Sequence, residues 1–195
     1  MIKDSGNRTE YGTGAVRDIQ IGKGRCDLMP LSQLARVLHS PEIEAISNFK
    51  ETGDVDYLYE ALYAFVAERQ FHNVATMALE VAKHFEEGAN KYGENNWQKG
   101  IPVHAYMDSA IRHLLKFIAS WNDEPHDRAF CWNILCAIWT VDNKIEQDDF
   151  SKKTVARCKK CKHEGVGSDF PCNECCYQAA GTGFHNMFIR KEEVR

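Results

Sequence analysis

From Leu31 to Asp142 the apolar residues recur three, four and seven positions apart, and no stretch alternates in the way a half-buried strand requires. That period constrains the middle of the chain to helices. Leu31, Leu34, Ala35 and Leu38 make one face. Ser40-Pro41 breaks it, and Ile43 and Ile46 resume it in a second short helix. Gly53 closes that unit and Asp54 opens the next, with Tyr57, Ala61, Ala64 and Phe65 on one side. A longer helix is predicted from Asn73 to Ala89. A loop follows over 90–104, punctuated by Gly93, Gly100 and Pro102. Residues 106–119 are apolar nearly all round, the mark of a buried helix, and a last helix runs over 124–142.

Charged groups interrupt this pattern at few places. Glu80, His84, Glu87 and Lys91 fall on one stripe, opposite Val74, Ala78, Val81 and Phe85. Such a stripe is either a solvated face or half of a metal site. Glu124 and Asp127 are three apart, and facing pairs of carboxylates are how helical proteins hold divalent cations. Asp127 shares its side with Cys131, Ile134, Leu135 and Ile138, so it is expected to be buried and to need a cation or a hydrogen-bond partner. Asp123 is expected to cap that helix, with Glu124 and Pro125 in its first turn. Asp108 and Arg112, four apart, either pair with each other or leave the guanidinium for phosphate oxygens. His113 lies with Tyr106, Ala110 and Phe117, as a core histidine or a ligand. Trp97, in a polar loop, is either a packed anchor or a platform for a planar ligand.

The two ends differ from the middle. Residues 1–30 carry Gly12, Gly14, Gly22 and Gly24 and read as an extended arm with turns. Its Arg17, Lys23 and Arg25 are in reach of a phosphate, although spacing alone favours a solvated arm. Residues 143–156 are charged and read as a linker. Residues 157–195 contain Cys158, Cys161, Cys172 and Cys175, two Cys-x-x-Cys pairs ten residues apart. Two such turns complete a tetrahedral zinc site with no open position, so the zinc is expected to be structural. A net charge of −4 gives no support to broad nucleic-acid binding, and the partner of this module stays open in that respect. No apolar run approaches the length of a membrane span, and the N-terminus lacks the apolar stretch of a signal peptide. The expected location is a reducing cytoplasm, with the cysteines as metal ligands or buried thiols.

Five segments taken together carry a resemblance: residues 14–18 (Gly-Ala-Val-Arg-Asp), 22–30 (Gly-Lys-Gly-Arg-Cys-Asp-Leu-Met-Pro), 88–100 (Gly-Ala-Asn-Lys-Tyr-Gly-Glu-Asn-Asn-Trp-Gln-Lys-Gly), 108–116 (Asp-Ser-Ala-Ile-Arg-His-Leu-Leu-Lys) and 123–133 (Asp-Glu-Pro-His-Asp-Arg-Ala-Phe-Cys-Trp-Asn). In that order they resemble the dATP/dGTP diphosphohydrolase family of phages and prophages, itself similar to the all-helical MazG-type pyrophosphohydrolases. The resemblance spans about residues 12–140. It implies an all-α, MazG-like bundle over 31–142, with the arm and the zinc-ribbon-like module attached.

The resemblance also implies a chemistry. Two or more Mg²⁺ (or Mn²⁺) ions held by Glu80, Glu87, Glu124 and Asp127 bridge a purine deoxynucleoside triphosphate. One ion activates the water that attacks the α-phosphorus, and the products are monophosphate and pyrophosphate. The MazG-type pattern is a Glu-x-x-Glu pair and a Glu-x-x-Asp pair. Glu124 and Asp127 match the second, whereas His84 stands where the first calls for Glu. Lys91, Lys99 and Arg112 would neutralise phosphate charge, Trp97 and Asn133 would meet the base, and His84 or His113 would orient water. The site in such relatives commonly forms between subunits, which implies a homo-oligomer, in the host cytoplasm for a phage protein. A second class of function fits the same residues: a helical pocket that sequesters a nucleotide without cleaving it, beside a zinc ribbon that grips nucleic acid or a partner.

Overall fold

The computed structural model describes residues 6–68, 74–144 and 147–151. The zinc-ligand candidates Cys158, Cys161, Cys172 and Cys175 lie outside these described residues.

Six helices account for most of them: α1 Leu31–Leu38, α2 Pro41–Thr52, α3 Asp56–Glu68, α4 Val74–Tyr92, α5 Val103–Ile118 and α6 His126–Asn143. The all-α expectation holds. Two three-residue strands, β1 Arg8–Glu10 and β2 Val16–Asp18, form the one sheet seen among the described residues, an antiparallel hairpin with Thr9 opposite Arg17.

The local causes follow the sequence closely. Pro41 starts α2 at its first position, and the Ser40 hydroxyl accepts from the Ile43 amide. Gly53 ends α2 in the left-handed region, at φ 78°. Helix α4 stops at Tyr92 because Gly93, at φ 88°, turns the chain and returns its N–H to the Ala89 carbonyl. Helix α5 is the buried one: Val103, Ala105, Tyr106, Met107, Ala110, Ile111 and Leu114 are all fully enclosed. It pairs most extensively with α6, and α6 in turn receives α3 and α4. Phe65 of α3 packs against Phe117 and Phe130, joining three helices in one core. The apolar side of α6 is as expected at Cys131, Ile134 and Ile138, which are buried.

Three expectations need correction. The inward face of α4 is Met77, Val81 and His84, while Val74 is 51% exposed and Ala78 also faces out. The buried face is rotated towards Met77, so His84 is buried and does not share the outward side of Glu80. Asp123 does not cap α6. Pro125 occupies that position and no side chain caps the helix, so the Asp123 carboxylate is left to bond the His126 ring. Residues 6–30 are not a solvated arm. Ala15 is fully buried, and the Asn96 amide brackets Val16, accepting from its N–H at 2.9 Å and donating to its carbonyl at 2.7 Å. A side-chain amide that satisfies both backbone groups of one residue acts as a further strand partner.

Candidate active site

Docking of the hairpin closes one wall of a cleft of about 870 Å³. The other walls come from α4, the Gly93–Gly100 loop, α5 and the start of α6. This is the size range of a small-molecule pocket.

Four cations line it: Arg17, Lys23, Arg112 and Lys116. Arg17 lies over the Tyr106 ring at 5.0 Å and donates through Nη2 to Asn133 Oδ1 at 2.5 Å. Its Nη1 is buried and has no hydrogen-bond partner among the described residues. A guanidinium held flat by an aromatic and an amide, with one N–H edge unused, is prepared for an acceptor. Arg112 bonds Asp108, which is fully buried and also accepts from the Cys26 N–H at 2.6 Å. The expected Asp108–Arg112 pair therefore forms, and it places the rest of the guanidinium at the cleft. Lys116 stands 3.2 Å from Asp123 Oδ2 and 3.9 Å from Glu124 Oε1. Lys23 pairs with Asp18 at 3.0 Å.

The aromatic wall comprises Phe85, Tyr92, Trp97, Trp121 and Trp132. Trp97 is packed edge-on against Phe85 at 5.4 Å and Trp139 at 5.0 Å, so it is an anchor that also presents surface to the cleft. Trp121 is 58% exposed at the rim. Asn133 lines the cleft, but its amide is already used by Arg17 and by the Ala129 carbonyl. It positions Arg17 through its oxygen, and one of its two amide hydrogens is bonded to Ala129.

Two histidines, His84 and His113, line the cleft, and a third, His126, is buried next to His113. His84 is buried against Trp132, and burial, aided by Arg128, lowers its pKa to about 4. His113 is likewise pushed well below the ordinary imidazole value by burial, with His126 and Arg112 acting in the same direction. Its Nδ1 faces His126 Nδ1 at 3.0 Å. Glu124 Oε1 lies 3.7 Å from the first of these nitrogens and 3.8 Å from the second.

Of the carboxylates expected to hold magnesium, only Glu124 lines the cleft. Glu80 is a surface residue paired with Lys83. Glu87 receives Arg128 Nη2 at 2.7 Å. Asp127 is half-buried, beside Cys131, and outside the cleft. Magnesium asks for several oxygens in a near-octahedral set. Among the described residues Glu80, Glu87 and Asp127 join no group of three ligand side chains whose donor atoms lie within 4.8 Å of one another, so within one chain the four carboxylates do not fit it as a set. Among the other expected contacts, Lys91 is largely buried 4.0 Å from Asp18, Arg25 is bidentate on Asp27, and Lys99 is exposed; none of the three lines the cleft.

Lys116, His126 and Trp132 were not singled out by sequence, and Asp123 only as a helix cap. For Lys116 a signal existed: it is four residues after Arg112 and so on the same face of α5. For His126 none did, because its meeting with His113 depends on how α5 packs against α6.

Residues 66–150 match the family model described as dATP/dGTP diphosphohydrolase, N-terminal. No curated protein and no solved structure is significantly similar to the chain. The matched segment supplies every cleft wall except β2, which carries Arg17, and the turn after it, which carries Lys23.

Proposed function

From the place of residues 66–150 in the dATP/dGTP diphosphohydrolase family, we propose that this cleft hydrolyses purine deoxynucleoside triphosphates to the monophosphate and pyrophosphate, with a divalent cation. The observation that carries the reading is the grouping of Arg17, Lys23, Arg112 and Lys116 around one cleft that also holds Glu124 and a wall of aromatic rings. A triphosphate needs several cations along its length, and a purine needs flat apolar surface.

The roles follow from position. Arg17 and Arg112 hold phosphate oxygens with fixed guanidinium planes. Lys116 and Lys23, each already beside a carboxylate, supply mobile positive charge. Glu124 and His113 line the cleft, where they orient the attacking water and exclude others. Water oxygen bonds to the α-phosphorus, the bond from that phosphorus to the bridging oxygen breaks, and pyrophosphate leaves with the electron pair. The proton released by water is taken up on the Glu124 side. Arg112 and Lys116 stabilise the charge that builds on the phosphate oxygens.

The test is product analysis. Full-length protein with dGTP or dATP and a divalent cation is expected to release pyrophosphate and the monophosphate, and chelator is expected to stop it. Release of orthophosphate with the diphosphate, or tight binding of intact triphosphate without products, would refute the assignment.

A further inference from the structure

Three donor atoms of three side chains meet beside the cleft: His113 Nδ1, Glu124 Oε1 and His126 Nδ1, all within 4.8 Å of one another. Their separations are 3.0, 3.7 and 3.8 Å. Two ligands each about 2.1 Å from a shared ion stand roughly 3.0 to 3.4 Å apart, for angles from square to tetrahedral. The trio is near that spacing.

The chemistry of each member agrees with the spacing. Asp123 Oδ1 lies 2.7 Å from His126 Nε2, and a carboxylate there accepts, so the proton is on Nε2. The other nitrogen, Nδ1, is the one that faces His113 and Glu124. A carboxylate behind an imidazole is the arrangement that orients a metal-binding histidine. A proton shared between the two Nδ1 atoms accounts for their 3.0 Å contact. It does not account for Glu124, whose Oε1 is too far from either ring, and from Lys116 at 3.9 Å, for a hydrogen bond. A carboxylate held beside two imidazoles without bonding to them marks a space for a small cation.

The geometry points to a divalent-cation site formed by His113, Glu124 and His126, with Asp123 orienting His126, that takes a first-row transition ion in preference to magnesium. Two nitrogens and one oxygen suit such ions, whereas magnesium prefers oxygen alone. Three protein ligands leave further positions for water or a phosphate oxygen, and His113 and Glu124 open onto the cleft. The relevance of the ion to hydrolysis rests on the function proposed above; its binding does not.

The experiment uses full-length protein stripped with chelator and titrated with Mn²⁺, followed by the electron paramagnetic resonance signal of the free ion. Manganese is the probe because cysteine thiolates favour softer ions. Wild-type protein is expected to bind Mn²⁺ without nucleotide, with nitrogen coupling in the pulsed spectrum, and a tenfold excess of Mg²⁺ is expected not to displace it. His113→Ala, Glu124→Gln and His126→Ala are each expected to weaken binding at least tenfold, while Glu80→Gln binds as wild type. His126 is buried, so Asp123→Asn, at a partly exposed side chain, gives a second reading that does not depend on core packing; it too should weaken binding about tenfold. No Mn²⁺ binding, binding without nitrogen coupling, or binding indifferent to these variants but lost in Glu87→Gln would overturn the inference. Pyrophosphate release with magnesium from a wild-type protein that binds no Mn²⁺ would overturn it and leave the hydrolase reading standing. Mn²⁺ binding as described in a protein that releases no pyrophosphate would do the reverse.

Discussion

The outer face of α4 and the turn that leads into α6 each bring two carboxylates to within a few residues of one another, and the protein treats them differently. On α4, Glu80 and Glu87 are matched to cations of the chain itself, Lys83 and Arg128. Before α6, Asp123 and Glu124 face two imidazoles and one lysine at a cleft. Spacing on a helix is the same kind of signal in both places. What separates them is the partner across the helix packing. Glu87 is held by an arginine at hydrogen-bond distance, while Glu124 has Lys116 no closer than 3.9 Å and two imidazole nitrogens at 3.7 and 3.8 Å.

The largest expected effect breaks this comparison at Glu124. Glu124→Gln keeps the shape and removes the charge, and turnover of dGTP or dATP should fall on the order of 10²- to 10⁴-fold. The circular dichroism should be unchanged, since the side chain lies at the cleft and outside the core. Full activity in this variant would place the chemistry elsewhere.

The next effect concerns acid stability. His84 is buried with a pKa of about 4, below the unfolded imidazole value of 6.5. A lowered histidine pKa means the native state favours the neutral ring. The stability this carries is complete above pH 6.5 and is lost as pH falls towards 4. The loss amounts to roughly 3 kcal/mol across that window, at 1.36 kcal/mol per pKa unit. Urea denaturation at pH 7 and pH 4.5 measures it, and His84→Leu should flatten the acid limb. An equally steep limb in that variant would assign the loss to other groups.

Arg128→Met tests the α4 side. Arg128 is 6% exposed and ties α6 to Glu87. Its removal leaves Glu87 part-buried without that partner and should cost about 1–3 kcal/mol of stability, with little change in kcat. A loss of turnover in a protein of normal stability would mean Glu87 belongs to the site after all. Lys116→Ala is milder still: loss of one charge-assisted contact should lower kcat/KM about tenfold, whereas Lys99→Ala, outside the cleft, should not.

The helices were legible because their period was repeated over many residues and their ends carry Pro41, Gly53 and Gly93. The buried character of α5 and the apolar side of α6 were legible for the same reason. The face of α4 was misread because Val74 and Ala78 fit a stripe as well as Met77 does, and only packing against α6 chooses between them. The hairpin was read as solvated because what holds Val16 is Asn96, eighty residues away. The same limit applies to the site. Arg17, Lys23, Arg112, His113 and Glu124 were among the candidates, but Asp123 resembled a helix cap and His126 drew no reading of its own. Their meeting with His113 joins two helices, and no spacing along one helix encodes it.

The smallest expected effect is the most direct test of what separates the two carboxylate regions. Glu80 pairs with Lys83 three residues along the same helix, and both side chains are well exposed, at 38% and 57%. Exposed pairs of this kind are worth about 0.5 kcal/mol or less, because water solvates both charges and salt screens them. Glu80→Gln should therefore shift the midpoint of thermal unfolding by no more than a degree or two. It should leave kcat and KM for the triphosphate unchanged. The result would be informative because the same substitution at Glu124, equally conservative in shape, is expected to abolish most turnover. If instead Glu80→Gln lost activity in step with Glu124→Gln, the outward face of α4 would have to meet the catalytic groups in the working protein. A second chain is the one way to bring it there without unfolding α4, and cross-linking across that face would then be the decisive measurement.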